Sequence, residues 1–136
     1  MIFTKDKITV KLYDSRKEMG EIAASDTAAK IEELLLVKDE INIIFAAAPS
    51  QNEFLASLVK ENRIDWSRIN AFHMDDYIGL EEDAPQRFGH FLKESIFGKV
   101  PFKQVNYING KALPSEECAR YEALLKQYPA DIVCLG

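Results

Sequence analysis

The sequence predicts an α/β fold built on a mostly parallel, doubly wound sheet with helices on both faces. Three observations point there. Short, largely apolar runs rich in β-branched residues, such as Ile41–Phe45, have the pattern of strands buried on both sides. Between such runs lie longer segments with apolar residues every three or four positions, the spacing of a helix with one buried stripe. The two kinds of segment alternate along the chain, as parallel strands joined by helical crossovers require.

Taken in order, Ile8, Val10 and Leu12 alternate with polar residues and read as a first strand. Asp14 or Ser15 then caps a helix over Arg16–Val37, which puts Ala24, Ala28, Ile31 and Leu35 on one face. The strand at Ile41–Phe45 runs into Ala46-Ala47-Ala48-Pro49. Ser50-Gln51-Asn52-Glu53 has the form of a capping box for a helix through about Lys60, with Phe54, Leu55, Leu58 and Val59 inward. Ile69–Phe72 reads as the third strand, and the polar, acidic stretch Met74–Ala84 as a loop. Pro85 suits the first turn of a helix to about Phe97. Val105–Ile108 is the fourth strand, Asn109-Gly110 a turn, and Ser115 the cap of a helix through about Gln127. Asp131–Leu135 is the fifth strand. The result is a Rossmann-like sheet in a single domain over residues 1–136. The chain stops at Gly136, at the carboxyl end of an apolar strand, where such sheets carry function. The expectation is a sheet truncated at its C-terminus, the N-terminal part of a longer domain.

Composition narrows the class. The 136 residues are 47% hydrophobic and 29% charged, an ordinary globular balance in which the core needs no disulfide or metal to form. A formal charge of −5 argues against a general nucleic-acid partner, which would need clustered Lys and Arg. No apolar run is long enough to span a bilayer, and Met1–Val10 lacks the unbroken apolar core of a signal peptide. Cys118 and Cys134 read as buried or half-buried thiols in a reducing compartment, so a cytoplasmic location is expected.

Two strand ends stand out as places for chemistry. At Ala46–Gln51 a strand meets a helix N-terminus, where free N–H groups can receive an anion and small residues let it approach. Plain capping by Ser50, with alanines for tight packing, explains the same residues. At Phe72-His73-Met74-Asp75-Asp76-Tyr77-Ile78-Gly79-Leu80, two adjacent carboxylates leave a buried strand. Side chains alternate along an extended backbone, so Asp75 and Asp76 are expected to point opposite ways, one toward a ligand and one toward backbone. A carboxylate that acts as a base near neutral pH gains from burial and from a negative neighbour. His73, His90, Asp75 and Asp76 match no tight metal-ligand spacing, and no metal site is expected.

This nine-residue segment resembles the Phe-Asn-Met-Asp-Glu-Tyr-Val-Gly-Leu signature of the glucosamine-6-phosphate deaminase family. Pro85, the Ser95-Ile96-Phe97 helix end, the Asn109-Gly110 turn and the Cys118–Tyr121 helix agree with it. The resemblance implies conversion of glucosamine 6-phosphate and water into fructose 6-phosphate and ammonia, with no metal or organic cofactor. It puts the base that moves a proton between C1 and C2 of the opened sugar at Asp75. Phe88 takes the place of a substrate-lid tyrosine. Ala47, Ala48, Ser50 and Gln51 fall where the family binds phosphate, with Asp76 as a further substrate contact. The expected partner is a small sugar phosphate, with further copies of the same chain in a homo-oligomer left open and no nucleic acid or membrane. Two departures stand out. The family's phosphate loop is glycine-rich, whereas here Pro49 removes one N–H donor and the alanine methyls narrow the approach. The family's ring-opening Gly-Asn-Gly-His segment would follow the strand ending at Leu135, so the isolated chain is expected to be inactive. Two alternatives share the fold: a 6-phosphogluconolactonase, which usually has Asp-Glu-Arg where this chain has Asp75-Asp76-Tyr77, and a sugar-phosphate-sensing domain of a transcription regulator.

Overall fold

A computed structural model describes residues 1–136. Its centre is a four-stranded parallel sheet of β3 (Ile41–Phe45), β4 (Ile69–His73), β5 (Gln104–Asn106) and β6 (Ile132–Cys134), in the order β5-β4-β3-β6. Ile43 pairs with both Ala71 and Ile132, which fixes the register of β4, β3 and β6. Odd-numbered residues of β3 and β4 face one way. There Ile41, Ile43, Phe45, Ile69 and Ala71 are fully buried.

Helix α1 (Arg16–Leu35) presents Ala24, Ala28 and Ile31 to that face, and α2 (Asn52–Leu58) presents Phe54, Leu55 and Leu58. A fully buried side chain of this kind stabilises by about 1.5–3 kcal/mol, so the stripe decides where the helices sit. The two helices approach closely at Gly20, where an added Cβ would lie 2.7 Å from the Cβ of Glu53. Helix α3 (Phe88–Leu92) continues as a π-helical turn over Lys93–Phe97, and its Leu92, Ile96 and Phe97 close the same core. The other face of the sheet carries α4 (Pro114–Gln127). There Phe72 packs edge-on against Tyr121 at 6.1 Å between ring centres. Helices therefore lie on both faces, as the alternation predicts. No helix is long and apolar enough to cross a membrane.

Several local expectations need correction. Ile8–Lys11 (β2) does not join the parallel sheet. It pairs antiparallel with Ile2–Lys5 (β1) in a separate hairpin turned at Asp6, whose φ of 54° an aspartate tolerates. Strand β6 is a half-exposed edge, with Val133 47% accessible, rather than a buried strand. Neither Ser50 nor Ser115 caps a helix. Pro49 and Pro114 each take a first helical position, where a missing N–H costs nothing, and this moves the start one residue upstream of the serine. Glu53, freed from the capping box, pairs with Arg16 at 2.7 Å. Pro85 lies in a turn before α3, which begins at Phe88 because a carboxylate from another loop caps it there. Cys118 is exposed and Cys134 half-buried; both are free thiols, and burial pushes that of Cys134 up to about 12.

Candidate active site

The carboxyl ends of β3 and β4 form one rim, and the loops that leave them carry the expected site residues. Strand β4 ends at His73, which is 1% accessible. The chain then turns outward through Met74 and Asp75, both exposed. The carbonyl of Asp75 accepts from His73 Nδ1 at 3.0 Å, whereas its carboxylate is left open to solvent.

Asp76 is the opposite case. Its side chain has no accessible surface and forms an ion pair with buried Arg87 at 2.9 Å. The N–H groups of Tyr77, Phe88 and Gly89 also donate to it, at 2.9, 3.0 and 3.2 Å. Burial pushes this carboxyl up. The three N–H groups and Arg87 together outweigh that and hold it below its ordinary value of 3.8. Of the two neighbouring carboxylates, one is therefore free and one locked. Asp75 is exposed rather than buried, and the charge of its neighbour Asp76 is paired with Arg87.

Arg87 also donates to Ile108 O at 2.8 Å, which ties the Asp76 loop to the turn after β5. The two segments touch at Gly110, where a Cβ would lie 2.4 Å from Tyr77 O; only glycine fits. Glu117 of α4 secures that turn by accepting from Asn109 N–H at 2.8 Å. Hydrogen bonds from Arg120 pull its carboxyl below the usual range. Tyr121 reaches the end of β4 from α4: its hydroxyl donates to His73 O at 2.7 Å and accepts His73 N–H at 3.0 Å. Burial raises that phenol to about 12, so it remains a donor at any physiological pH.

At the β3 end, Ala47 and Ala48 are half-buried and Ser50 is exposed. Gln51 is buried, and its side-chain amide donates to Leu135 O at 3.2 Å. The amides of Ala46 and Gln51 are taken by Cys134 O and Ala48 O, so Ala47, Ala48 and Ser50 keep free N–H groups. Arg16 crosses over the loop and donates to Pro49 O at 2.9 Å. Helix α2 is only seven residues long, so its dipole is a weaker attraction for an anion than the sequence reading supposed.

The rim is divided rather than gathered. Asp75 and Asp76 line a cavity of about 550 Å³ between their loop and α4, with Tyr77, Ile108 and Cys118. Ser50 and Gln51 line another, of about 310 Å³, with Arg16 and the end of β6. Phe88 borders neither; its ring lies 5.1 Å from that of Tyr77. No group of three or more His, Cys, Asp or Glu is placed to hold a metal ion. The sequence reading missed Arg87, Tyr121 and Arg16. Their partners lie 11 to 48 residues away, a range that helical or strand periodicity does not reach.

The fold is a parallel α/β sheet with a carboxylate pair at one strand end and free amides at the next, and comparison with known proteins gives its family. Residues 14–136 match the family of glucosamine-6-phosphate isomerases and 6-phosphogluconolactonase, and the chain belongs to it. A glucosamine-6-phosphate deaminase of Listeria innocua is 32% identical over 118 residues, covering 86% of this chain and 50% of the relative. One from Streptococcus sanguinis is 38% identical over 92 residues, covering 67% and 39%. Among solved structures, a monomeric glucosamine-6-phosphate deaminase superposes with a TM-score of 0.73 at 23% identity, over 85% of this chain and 48% of its own. The 6-phosphogluconolactonase of Thermotoga maritima gives 0.72 at 22%, over 85% and 52%. At these identities the two superpositions establish the shared fold. The chain spans about half the length of the curated relatives it matches.

Proposed function

We propose that this chain supplies the proton-transfer half of a cytoplasmic aminosugar-phosphate deaminase. In this reading glucosamine 6-phosphate and water become fructose 6-phosphate and ammonia. Asp75 takes the proton from C2 of the ring-opened sugar and returns it to C1. The imine left at C2 is then hydrolysed, releasing ammonia. The phosphate is received by the free N–H groups of Ala47, Ala48 and Ser50, with Gln51 buttressing the loop from below. Asp76 shapes the sugar side by fixing the loop, and Phe88 acts there through the Tyr77 ring it packs against. The observation that carries the reading is Asp75 itself. It is an exposed carboxylate at the carboxyl end of β4, fastened through its backbone and left without a side-chain partner, which is what a base awaiting a substrate C–H requires.

Ring opening is assigned to residues corresponding to the relatives' other half, so the 136-residue chain alone should release no ammonia above buffer. In a protein that includes that half, Asp75→Asn keeps shape and hydrogen-bonding reach but cannot take the proton. Its kcat should fall roughly a hundredfold or more, with KM changing little. Unchanged kcat in Asp75→Asn would remove Asp75 from the chemistry. Hydrolysis of 6-phosphogluconolactone without any deaminase turnover would move the protein to the lactonase branch of the family.

A further inference from the structure

We propose that His73 is the positioning residue for Asp75, acting as a neutral imidazole clamped between the Asp75 carbonyl and the Ile108 amide. This rests on the reading of Asp75 as the base and adds how that base is aimed. The partners of the ring fix its form. Ile108 N–H, which can only donate, points at Nε2 at 3.0 Å, so Nε2 must carry a lone pair. The proton therefore sits on Nδ1 and is donated at 3.0 Å to Asp75 O, which can only accept. Both ring nitrogens are thereby committed to backbone, and neither is left to act as an acid, a base or a metal ligand.

These bonds close a ring. From Asp75 O the path runs through His73 to Ile108 N–H, from Ile108 O to Arg87, and from Arg87 to the Asp76 carboxylate. The Asp75–Asp76 peptide joins the two ends. Asp75 has no anchor on its own side chain, so its direction is set by the carbonyl on one side and by locked Asp76 on the other. His73 is the only side chain that holds the first. A charged imidazole would break the ring, because protonated Nε2 would face the Ile108 N–H donor to donor. Burial opposes that charge. Asp76 and Asp75, on the loop, favour it, and Arg87, beside α3, opposes it. Phe97 of the π-helical turn after α3, Tyr107 after β5 and Tyr121 of α4 face the ring edge-on and bring no charge. In the signature that this segment resembles, an asparagine stands in place of His73. Its shorter side chain reaches the position of Nδ1 but not that of Nε2.

The test has two arms. In the 136-residue chain, nitrogen-15 NMR of the imidazole at pH 7 should show Nδ1 protonated and Nε2 bare, the reverse of the tautomer most histidines adopt in water. A bare Nδ1 would overturn the proposal. His73→Phe, which removes both bonds, should raise amide exchange at Ile108 and at Tyr77, whose N–H donates to the Asp76 carboxylate, at least tenfold, whereas His73→Asn should spare Tyr77 and loosen only Ile108. In the protein that includes the relatives' other half, His73→Phe should lower kcat on the order of a hundredfold with KM within about threefold, the cost of an ångström-scale misplacement of a catalytic group. His73→Asn should recover most of that loss. If His73→Phe fails to fold, the Asn variant and the tautomer decide alone. Asp75→Asn distinguishes the two failures. If it abolishes turnover while His73→Phe leaves kcat unchanged, the positioning role is wrong. If Asp75→Asn is silent while His73→Phe lowers kcat, the base is misassigned and His73 does not act through Asp75.

Discussion

The loops that leave β3 and β4 start from neighbouring strands of one parallel sheet, yet they are held in opposite ways. Ala46–Gln51 is fixed by its own backbone turn and by the Gln51 amide on Leu135 O, and its one charged tether, Arg16 donating to Pro49 O and pairing with Glu53 just beyond the loop, lies at the surface. The Asp75–Gly79 stretch has no regular structure and is fixed by side chains: Asp76, Arg87 and His73, all buried, tie it to α3 and to the turn after β5. The difference matches what each loop has to present. Backbone amides stay aimed as long as the turn keeps its shape. A single carboxylate on an irregular segment needs something outside itself to set its direction.

The most damaging way to break this contrast is at the buried pair. Asp76→Asn or Arg87→Ala leaves one charge buried without its partner, which costs about 3–5 kcal/mol, a large share of a domain's stability. Urea denaturation should show that loss for both variants. Asp75→Asn, at an exposed position, should leave the midpoint close to the parent's while removing turnover. Two neighbouring aspartates would then separate stability from catalysis. Equal losses of stability in both variants would mean that the loop is not divided as described. Breaking Arg16–Glu53 at the other loop should cost far less than breaking Asp76–Arg87, because solvent screens an exposed pair.

Acidity should undo the β4 loop in two steps. Burial holds His73 below its ordinary value of 6.5, so the unfolded chain takes up that proton first as the pH drops. Stability is full above about 6.5 and is lost as the pH falls from there toward the native value. Asp76 is held below 3.8, so its contribution is intact above 3.8 and declines in a second window beneath it. Stability measured from pH 8 to 3 should show both declines in the parent. The upper one should disappear in His73→Asn; its persistence would place the titration elsewhere.

Much of this was legible in the sequence, and the rest has a common cause. The strands of the main sheet and α1 follow from period and alternation, which act over a few residues. The hairpin was half-missed because Ile2, Phe3 and Ile8 stay exposed, so no burial pattern marks β1. Helix starts were misplaced by one residue where proline precedes serine. The role of His73 was invisible because it depends on Ile108, 35 residues on, meeting the ring in space. Arg87 sits in a polar loop, where an arginine ordinarily reads as a solvated residue.

A milder change sharpens the β3 side. If backbone amides receive the phosphate, the methyl groups of Ala47 and Ala48 are the obstacle that a glycine-rich loop lacks. Replacing both with glycine, in a protein that includes the relatives' other half, should tighten sugar-phosphate binding by a few-fold. The gain is limited because glycine also raises the ordering cost of the loop by roughly 0.5–1 kcal/mol per residue. Calorimetric titration against fructose 6-phosphate would read it. Unchanged or weaker binding would show that the alanines are not what limits the site.

The smallest effect belongs to Ser50. A capping box would make its hydroxyl part of the helix start, and removing it would cost about 1 kcal/mol. Pro49 has taken that start. Ala48 stands at the cap position in extended conformation, with no side-chain hydrogen bond to the helix. Ser50 is exposed, so Ser50→Ala should shift stability by no more than about 0.5 kcal/mol. Ser15 provides the internal standard, since its hydroxyl does accept from Glu18 N–H, at 3.2 Å, at the start of α1. Ser15→Ala should cost about 1 kcal/mol in the same denaturation experiment. What Ser50 retains is its place beside the free amides of the loop, so a loss in Ser50→Ala should appear in phosphate affinity rather than in folding. Equal destabilisation by the two variants would restore the capping box and add a helix cap to the side-chain ties that the β3 loop already has through Gln51 and Arg16. The contrast with the β4 loop would then be one of degree.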